Sequence, residues 1–505
     1  MLLTEILSGI NCVQSKVRDT DIENITARAE EIGEKTLFIL YKGVKFDNTA
    51  NIRHITDKKP TAILTDQKLS ETEDVQIILV ENARLAYAYA IYNFCKIKSD
   101  TTKLYAVTGS NGKTTTATML YRIFRKSNIK CGFIGTGKIL INDNLYSDAY
   151  YSMTTPDPEI LYPVIKKMQD DGCEKIVMEV SSHALALNKV APLKYECSLF
   201  TNLSCEHLDF HKTIEEYYSA KKSIFKQSKI GIFNTDDYYS KRAFEECGNG
   251  RLIKYSVGIK NDADAMAKEI GLCGINKSSY IYRESQKIFK INLNLGGEYN
   301  ISNSLMAAKC ALISGIDTHI IKTALEEIRG IEGRCEVVCD TPMIIIDYAH
   351  TDKALETVLK FIKTTKNSEQ KLFSLFGCGG ERDKEKRPRM ARISEKHSDF
   401  TIITSDNSRN ENPKEILKEI EAGFTKRESY SIIESRADAI ENAILNLGDK
   451  DLLMIIGKGH ERYNIDLNGY HDFDEREIIK KALQKRKNIQ NENKNRNTAN
   501  TFFDK

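Results

Sequence analysis

The segment KLYAVTGSNGKTTTATMLYRIFRKS, residues 103–127, constrains the fold of this chain more than any other stretch. It reads as a strand, a glycine loop and a helix whose apolar residues recur at helical spacing. Gly109 and Gly112 let successive backbone N–H groups face a phosphate, and the helix N-terminus adds its dipole. Lys113 would reach the terminal phosphates, and a hydroxyl of Thr114 or Thr115 would ligate Mg²⁺. The segment predicts a nucleoside triphosphate site.

This loop departs at one position from the strict phosphate-loop pattern, because Val107 stands where that pattern has a glycine. The competing interpretation is a glycine-rich turn that only caps a helix. Gly-Lys-Thr-Thr-Thr between a strand and an amphipathic helix favours the nucleotide site. The predicted nucleotide contacts of the loop are Gly109, Asn111, Gly112, Lys113, Thr114 and Thr115.

Length and composition predict a soluble, cytoplasmic, multidomain protein. A chain of 505 residues predicts three domains, and 41% apolar with 29% charged residues is typical of globular proteins. The net charge of +3, with both signs interspersed, predicts no nucleic-acid or membrane partner. No basic stretch followed by an apolar core opens the chain, so we expect no signal peptide. The 12 cysteines form no C-x-x-C pair, which favours reduced thiols. We expect a monomer.

Strand-like and helix-like segments alternate along the chain, which predicts an α/β fold with parallel sheets. Polar connectors and changes in pattern divide it into an N-terminal domain at 1–98, a central domain at 99–335 and a C-terminal domain at 336–486. The last segment, 487–505, is polar and almost devoid of aliphatic residues, which predicts a disordered tail.

Polar side chains follow two further predicted strands of the central domain. KIVMEVSSHAL, residues 175–185, contains Glu179, and SLFTNLSCEHLDFH, residues 198–211, contains His207. Lys221 lies on the helix that follows. Carboxylate and imidazole groups at strand ends beside a phosphate loop suit a magnesium–nucleotide site. Taken singly, each histidine is also compatible with a hydrogen-bonded structural role, and Lys221 with a solvated helix lysine.

These motifs, in their order and spacing, resemble the Mur ligase family, and within it most closely the MurE type. The resemblance covers residues 101 to about 485 and is looser before them, where Ala27 replaces an expected serine. It implies a central P-loop ATPase domain with a parallel sheet, a Rossmann-like C-terminal domain and a smaller α/β N-terminal domain that binds the UDP-sugar. The segments that carry it are TGSNGKTTT, TTPD, MEVSSHAL, TNLSCEHLDFH, YYSAKKSIF, GEYNISNSLMAA, DYAHT, FGCGGERDKEKRP and GKGHE.

The resemblance implies an ATP-dependent, amide-forming ligase of peptidoglycan precursor synthesis. ATP would phosphorylate the terminal carboxylate of UDP-MurNAc-L-Ala-D-Glu, and the amino group of a diamino acid would then attack the acyl phosphate. The implied catalytic residues are Lys113, Glu179, His207 and Lys221. The implied Mg²⁺ ligands are Thr114, Glu179, His207 and Lys221, the last as a carbamate.

The same resemblance distributes the remaining substrate contacts along the chain. Asn300 and Asn303 would contact the adenine side. Contacts to ribose and phosphates would come from Arg334, Asp347 and His350. The muropeptide would touch Thr154, Thr155, Ser181 and Lys189. Lys189 stands where many relatives have arginine, so a bidentate fork becomes a point charge.

The loop Asp406-Asn407-Ser408-Arg409 stands where enzymes that add meso-diaminopimelate have D-N-P-R. Arg409 can form a two-bond fork to the distal carboxylate of meso-diaminopimelate. L-lysine has no carboxylate at that end. We therefore favour meso-diaminopimelate over L-lysine or another diamino acid. The predicted amino-acid contacts are Arg387, Asp406, Asn407, Arg409, Gly457 and Glu461. Two other interpretations stay open: a non-catalytic nucleotide-binding paralogue, and a ligase for another acceptor, like folylpolyglutamate synthase.

Overall fold

The computed structural model describes residues 1–13, 17–43, 52–69, 75–147, 153–248 and 250–503. The chain divides into two units. The first contains residues 1–203, 215–264 and 306–321, and the second contains residues 204–214, 265–305 and those from 322 onward. Each unit has its own parallel β-sheets.

The first unit begins with a small parallel sheet. Its elements are α1 Leu3–Ile6, β1 Asn24–Thr26, β2 Thr36–Leu40, α2 Ile52–Asp57, β3 Ala62–Thr65, β4 Gln76–Leu79 and α3 Ala83–Phe94. The strands follow one another in the order β1-β2-β3-β4, all parallel. Every residue of β2 and β3 is buried, as expected for strands covered on both faces.

From residue 103 to 258 strands and helices alternate. The elements are β5 Lys103–Thr108, α4 Lys113–Lys126, β6 Cys131–Gly135, β7 Lys138–Ile141, β8 Asn144–Ser147, α5 Pro158–Asp170, β9 Lys175–Glu179, α6 Ser182–Ala186, β10 Tyr195–Phe200, α7 Leu208–His211, α8 Ile214–Lys222, β11 Ser228–Asn234, α9 Tyr238–Glu246 and β12 Ile253–Gly258. A 3-10 turn, Ser223–Gln227, follows α8.

The central sheet of the first unit places β5 between β10 and β9. Its strand order is β12-β11-β10-β5-β9-β6-β7-β8, parallel from β12 to β6 and antiparallel beyond. Because the carboxyl ends of parallel strands meet at one edge, the loops after β5, β9 and β10 lie side by side. The phosphate loop is the middle one of the three.

The second unit contains an antiparallel meander and a second, mainly parallel sheet. Its elements, with the helices that connect the units along the chain, are β13 Ala265–Leu272, β14 Ser278–Glu284, β15 Lys287–Leu293, α10 Glu298–Ile313, α11 Thr318–Glu326, β16 Glu336–Asp340, β17 Met343–Asp347, α12 Asp352–Thr365, β18 Leu372–Phe376, α13 Lys386–His397, β19 Phe400–Ile403, α14 Pro413–Glu421, β20 Tyr430–Ile432, α15 Arg436–Asn446, β21 Leu452–Ile456, β22 Tyr463–Asp466, β23 Gly469–Asp472 and α16 Glu475–Phe503. The sheet order is β16-β17-β21-β18-β19-β20, with β16 antiparallel and the others parallel.

The alternation of side chains along β17 explains why helices cover both faces of this sheet. Ile345 packs in one buried cluster with residues of α12, α13 and α14. Ile344 and Ile346, whose side chains point the other way, pack with residues of α15 and α16. An apolar run without polar alternation therefore becomes a strand buried on both sides.

The predicted α/β class with parallel sheets is confirmed. The structure differs from the predicted disordered tail, because α16 continues to Phe503. The first part of this helix is anchored by the buried side chains of Ile479 and Ala482. Its later residues are mostly lysine, glutamine and asparagine, which do not end a helix as proline or glycine would. No helix in the described part of the chain combines the length and the apolar character needed to cross a membrane.

Candidate active site

The phosphate loop occupies the turn between β5 and α4, and its conformation requires glycine. Gly109 has a φ of +147° and Gly112 a φ of +85°, both outside the range that other residues readily adopt. A Cβ added at Gly109 would lie 1.9 Å from Oγ1 of Thr201. The loop thus packs directly against the end of β10, and α4 begins at Lys113 with its N-terminus beside the loop.

Two ammonium groups converge on this loop. Nζ of Lys113 donates to the carbonyl oxygens of Gly109 and Ser110, at 2.9 and 2.8 Å. Nζ of Lys221 donates to the same Gly109 oxygen at 2.8 Å, although the residue is only 2% exposed. The Lys221 ammonium also lies 4.7 Å from the ring centroid of Tyr217. The structure therefore brings together two predicted catalytic lysines in a site that suits an anion.

The residues after β10 hold the loop from the other side. The side-chain oxygen of Asn202 accepts the N–H of Asn111 at 3.0 Å, and its Nδ2 donates to the Asn111 carbonyl at 3.0 Å. Oγ1 of Thr201 donates to the same carbonyl at 2.6 Å. The sequence predicted no role for Thr201 or Asn202 beyond a strand end. What identifies Thr201 and Asn202 as loop contacts is that β10 lies next to β5, and this appears only in the sheet order.

Glu179, at the end of β9, is fully buried. Its Oε2 accepts a hydrogen bond from Oγ1 of Thr114 at 2.9 Å. Thr136 donates twice, from its N–H at 2.8 Å and from its Oγ1 at 3.1 Å. Within the described residues Glu179 makes no salt bridge, so the buried carboxylate is held by neutral donors. Thr136 was missed, although the segment GTGK that contains it follows β6, the neighbour of β9.

The predicted Mg²⁺ site lies at Thr114 and Glu179, whose side chains are hydrogen-bonded to each other. Among the described residues, no cluster of three or more His, Cys, Asp or Glu side chains is placed to hold a metal. Mg²⁺ at nucleotide sites commonly takes one or two carboxylates or hydroxyls, with phosphate oxygens and water completing its shell. The hydroxyl of Thr114 beside the buried carboxylate of Glu179 fits that requirement.

Three of the four predicted muropeptide contacts, Thr154, Thr155 and Ser181, lie near Glu179 or Thr136. Oγ1 of Thr155 donates to the Glu179 carbonyl and accepts the N–H of Ser181, both at 3.0 Å. The hydroxyls of Thr136 and Thr154 lie 3.3 Å apart. The Lys189 ammonium pairs with Asp157 at 2.6 Å. The remaining loop residue, Thr115, is buried in α4.

The other predicted nucleotide contacts lie in the second unit. Asn300 and Asn303 are buried on α10, and Nδ2 of Asn300 donates to the Gly296 carbonyl at 2.8 Å. His207 is the N-cap residue of α7, with a left-handed φ of +57°. The side chain of His350 is exposed, and its Nδ1 lies 3.0 Å from the Tyr348 carbonyl oxygen.

Asp347, at the end of β17, orders the backbone around it. Its two carboxylate oxygens accept the N–H groups of Cys335 and Ala349, both at 2.7 Å. Burial raises the pKa of Asp347, and the nearby Arg334 partly opposes this effect. The Arg334 guanidinium lies 4.6 Å from the ring centroid of Tyr348. This arrangement places one acid and one guanidinium beside the end of β17.

The predicted amino-acid contacts of the second unit form one cluster at the carboxyl ends of β19 and β21. Nδ2 of Asn407 donates to Oε2 of Glu461 at 2.9 Å. A Cβ added at Gly457 would lie 3.0 Å from Oδ2 of Asp406. The Arg409 backbone has a left-handed φ of +52°, and its N–H donates to the Ile465 carbonyl at 3.0 Å. Five of the six predicted contacts therefore lie close together.

Arg387 and Arg409 differ in what already surrounds them. Arg387 is fully buried, and its Nη1 donates to Glu411 at 3.0 Å and to Glu419 at 2.6 Å. Its Nη1 is therefore already occupied by two acids, and its buried Nε has no hydrogen-bond partner among the described residues. Nη1 of Arg409 donates to the Gly380 and Asn407 carbonyls, at 2.8 and 3.3 Å. In the described residues its Nε and Nη2 donate to no protein atom, so this half-buried guanidinium keeps N–H groups for a ligand.

Two segments of the chain match known protein families. Residues 107–311 match the Mur ligase middle domain, and residues 333–459 match the Mur ligase glutamate ligase domain. A relative from Clostridium tetani is 36% identical over 96% of this chain and 99% of its own length. The chain belongs to the Mur ligase family. That relative is named UDP-N-acetylmuramoyl-L-alanyl-D-glutamate–2,6-diaminopimelate ligase, as is one from Clostridioides difficile that is 36% identical over 96% of this chain and 100% of its own. The predicted resemblance to the MurE type is confirmed.

Solved Mur ligase structures share the fold. A 2,6-diaminopimelate ligase structure superposes with a TM-score of 0.67 and 24% identity, covering 96% of this chain and 99% of that one. A MurF ligase from Thermotoga maritima in complex with ADP superposes with a TM-score of 0.59 and 18% identity, covering 92% and 98% of the two chains. The predicted three-domain Mur ligase architecture is confirmed as the fold.

Proposed function

We propose that this chain is an ATP-dependent ligase that adds meso-diaminopimelate to UDP-MurNAc-L-Ala-D-Glu in cytoplasmic peptidoglycan precursor synthesis. The names of the relatives from Clostridium tetani and Clostridioides difficile support the reaction. The observation that carries the choice of amino acid is Arg409, whose Nη1 donates to the Gly380 and Asn407 carbonyls while, in the described residues, its Nε and Nη2 donate to no protein atom. Cytoplasmic location and a monomeric state stay predictions.

The first half-reaction is phosphoryl transfer to a carboxylate. A terminal carboxylate oxygen of the muropeptide attacks the γ-phosphorus, and the bond to ADP breaks to leave an acyl phosphate. Such a step needs charge neutralisation and positioning more than a strong base. Lys113 and the N–H groups of the loop would hold the phosphates. Thr155 and Ser181 would orient the muropeptide close to Glu179.

Mg²⁺ would neutralise phosphate charge when bound, held by Thr114 and Glu179. We propose His207 and a carbamylated Lys221 as ligands of a second ion. The Lys221 amine lies against the Gly109 carbonyl of the phosphate loop, where a carbamate would add a negative charge. Asn300, Asn303, Arg334, Asp347 and His350 are proposed contacts of adenine, ribose and phosphates.

The second half-reaction forms the amide. The neutral amino group of the diamino acid attacks the acyl carbon, inorganic phosphate leaves with the electron pair of the broken C–O bond, and the nitrogen loses one proton to solvent to give the neutral amide. Arg409 would grip the distal carboxylate in a two-bond fork. Asp406 and Glu461 would accept hydrogen bonds from the distal ammonium. L-lysine has no carboxylate at that end, so Arg409 would face its ammonium without a partner.

The proposed domain boundaries lie between elements. The first falls at 98/99, between the end of α3 at Phe94 and the start of β5 at Lys103. The second falls at 335/336, where β16 begins at Glu336. The matches to the family's middle and C-terminal domains, at 107–311 and 333–459, support this division.

The test is phosphate release with ATP, Mg²⁺ and UDP-MurNAc-L-Ala-D-Glu, across meso-diaminopimelate, L-lysine and ornithine. We expect turnover with meso-diaminopimelate. Arg409→Ala should raise its KM about a hundredfold, because a charged hydrogen-bond pair is worth about 2–5 kcal/mol. Arg427→Ala, which removes a guanidinium lying over Tyr430, is the control and should keep the KM. Absence of turnover with every diamino acid contradicts the proposed reaction, and an unchanged preference in Arg409→Ala contradicts the proposed specificity.

A further inference from the structure

Lys458 is a fully buried lysine at the centre of the amino-acid cluster, and neither the predicted site nor the proposed reaction gives it a role. It follows β21 in the segment GKGHE. Its Nζ donates to Oδ1 of Asn407 at 2.9 Å and to the Tyr463 carbonyl at 2.7 Å. The same ammonium lies 3.5 Å from Oδ1 of Asp406 and 3.8 Å from Oε2 of Glu461. One cation therefore touches three of the predicted substrate contacts.

The hydrogen bonds of Lys458 decide which way the amide of Asn407 points. Oδ1 of Asn407 accepts from Lys458 and from the N–H of Ile465, at 2.9 and 3.0 Å. An amide carbonyl oxygen has two lone pairs, so these donors occupy it. The NH₂ group is left facing Glu461, to which it donates at 2.9 Å. Asn407 can thus offer a ligand only its second N–H, which suits a carboxylate or carbonyl oxygen.

Lys458 also sets the charge of the cluster. Two carboxylates, Asp406 and Glu461, and one ammonium leave one net negative charge. Arg436 of α15 is already paired with Glu475 at 2.7 Å. Burial opposes ionisation of both acids. For Asp406 the charges of Lys458, Arg436 and then Lys386 prevail and hold its pKa below the usual value.

For Glu461 burial prevails. It raises the pKa of that group, with Asp406 adding to the rise, while Lys458 and hydrogen bonds from Asn407 and Tyr348 lower it. Tyr463 faces Glu461 as well, and burial raises the pKa of its phenol far out of the neutral range. Because its pKa is already raised, Glu461 is the acid that takes up a proton more readily when the Lys458 ammonium is removed.

We propose that Lys458 is a positioning residue of the amino-acid site, which orients Asn407 and keeps Asp406 and Glu461 anionic for the incoming ammonium. The inference rests on the proposed function, because the ammonium it serves belongs to the diamino acid. Lys458 touches no reacting atom. Its effect should therefore appear in the KM of the amino acid and in the pH dependence of that KM.

The first variant is Lys458→Met, which keeps an unbranched side chain and removes the charge. Without the ammonium the pKa values of Asp406 and Glu461 rise, so Glu461 takes up a proton at a higher pH than in the wild type. The KM for meso-diaminopimelate should rise about tenfold, because Asn407, Asp406 and Glu461 all lose their contact with a charged partner. The KM for ATP should change little. Raising the pH should restore much of the loss, because it ionises Glu461 again.

The second variant, Asn407→Asp, tests the same arrangement, and its KM should depend on pH in the opposite direction. Lys458 and Ile465 would hold one oxygen, so the other would face Glu461 where the amide N–H had been. Two adjacent carboxylates share a proton at low pH and repel at high pH. The KM for meso-diaminopimelate should therefore increase as the pH rises. This variant also keeps the inference testable if Lys458→Met does not fold.

Lys450→Met is the matched control, since Lys450 is an exposed lysine of the same unit that pairs with Glu369. It should keep the wild-type KM at every pH, and circular dichroism checks the folding of all three variants. A wild-type KM in Lys458→Met, or a loss of the same factor at every pH, overturns the inference. Parallel pH profiles in Lys458→Met and Asn407→Asp overturn it as well. Failure of the wild-type enzyme to turn over meso-diaminopimelate instead contradicts the proposed function.

Discussion

At the scale of single residues, backbone conformation matters as much as side-chain chemistry in this protein. Ser408 replaces the proline of the D-N-P-R pattern, and a residue without the proline ring leaves the backbone freer in the unfolded chain. Hydrogen bonds hold the loop in the folded state instead. The N–H of Gly380 donates to the Asn407 carbonyl at 2.9 Å, and that of Arg409 donates to Ile465. A Cβ at Gly380 would lie 1.9 Å from the Ser408 carbonyl oxygen, so only glycine permits this approach.

Gly109→Ala should abolish ATP binding. The new Cβ would clash with Thr201 and occupy a φ that L-residues avoid, which should cost about 2 kcal/mol or more of the free energy of unfolding. Gly33→Ala is the control, because nothing lies within 4 Å of its added Cβ. Calorimetric titration with ATP and chemical denaturation measure the two effects. Wild-type ATP affinity in Gly109→Ala would show that the loop does not need its glycine.

At the scale of elements, ion pairs of two buried arginines connect helices of the second unit. Arg387 of α13 is buried between Glu411, which precedes α14, and Glu419 within α14. Arg436 of α15 pairs with Glu475 at the start of α16, and both side chains are only 1% exposed. Removing one partner of such a pair leaves a buried charge, which costs more than the pair contributes. These arginines would look like surface residues in a sequence, since arginine is seldom fully buried.

Glu411 makes the stability of this helix pair sensitive to acid. Its hydrogen bond to Arg387 lowers its pKa from an ordinary 4.5 to about 2. A lowered carboxyl pKa contributes stability above the ordinary value, and that contribution is lost as the pH falls toward 2. Glu411→Gln should therefore have a lower unfolding midpoint at neutral pH and a smaller further decrease between about pH 4.5 and 2. Thermal unfolding across this range measures it.

Glu415→Gln serves as the control for that series, because Glu415 is 60% exposed and pairs only with Lys418 in the part of the chain described here. Its midpoint should follow the wild-type curve at each pH. If Glu411→Gln loses as much stability in acid as the wild type, the ion pair with Arg387 does not govern the acid response.

At the scale of the whole molecule, two units each carry part of the proposed machinery. The first holds the phosphate loop with Thr114, Glu179 and Lys221, and the second holds the amino-acid cluster around Lys458. Loops at the carboxyl ends of parallel strands form both sites. The proposed phosphate site and the proposed amino-acid site are therefore built in the same way, one in each unit.

Mg²⁺ and ATP should stabilise the whole enzyme together. ATP at a hundred times its Kd should add about 2.7 kcal/mol to the free energy of unfolding. Chelation of Mg²⁺ by EDTA should remove part of the rise in unfolding midpoint that ATP causes. Glu179→Gln should keep the rise seen with ATP in EDTA and lose the Mg²⁺-dependent part, because Lys113 and the loop remain. An equal response to Mg²⁺ in both proteins would exclude Glu179 as a metal ligand.

Local pattern alone determined the phosphate loop, the parallel-strand segments and the order of the family's motifs. These features depend on the backbone preferences of a few neighbouring residues and on the spacing of apolar residues along one segment. A short stretch of sequence is therefore enough to predict each of them. Glu179 and the D-N-S-R loop could also be chosen as candidate site residues from the sequence, because polar groups that follow predicted strands are visible there.

Only the tertiary structure decided which residues share a site. Thr201 and Asn202 contact the phosphate loop, and Thr136 contacts Glu179, because β6, β9, β5 and β10 are neighbours in the sheet, which the chain order does not reveal. Lys458 meets Asp406 and Asn407 across more than fifty residues of sequence, and Arg387 is buried between two acids. Burial and charge pairing depend on long-range packing, and no local pattern in the chain specifies them.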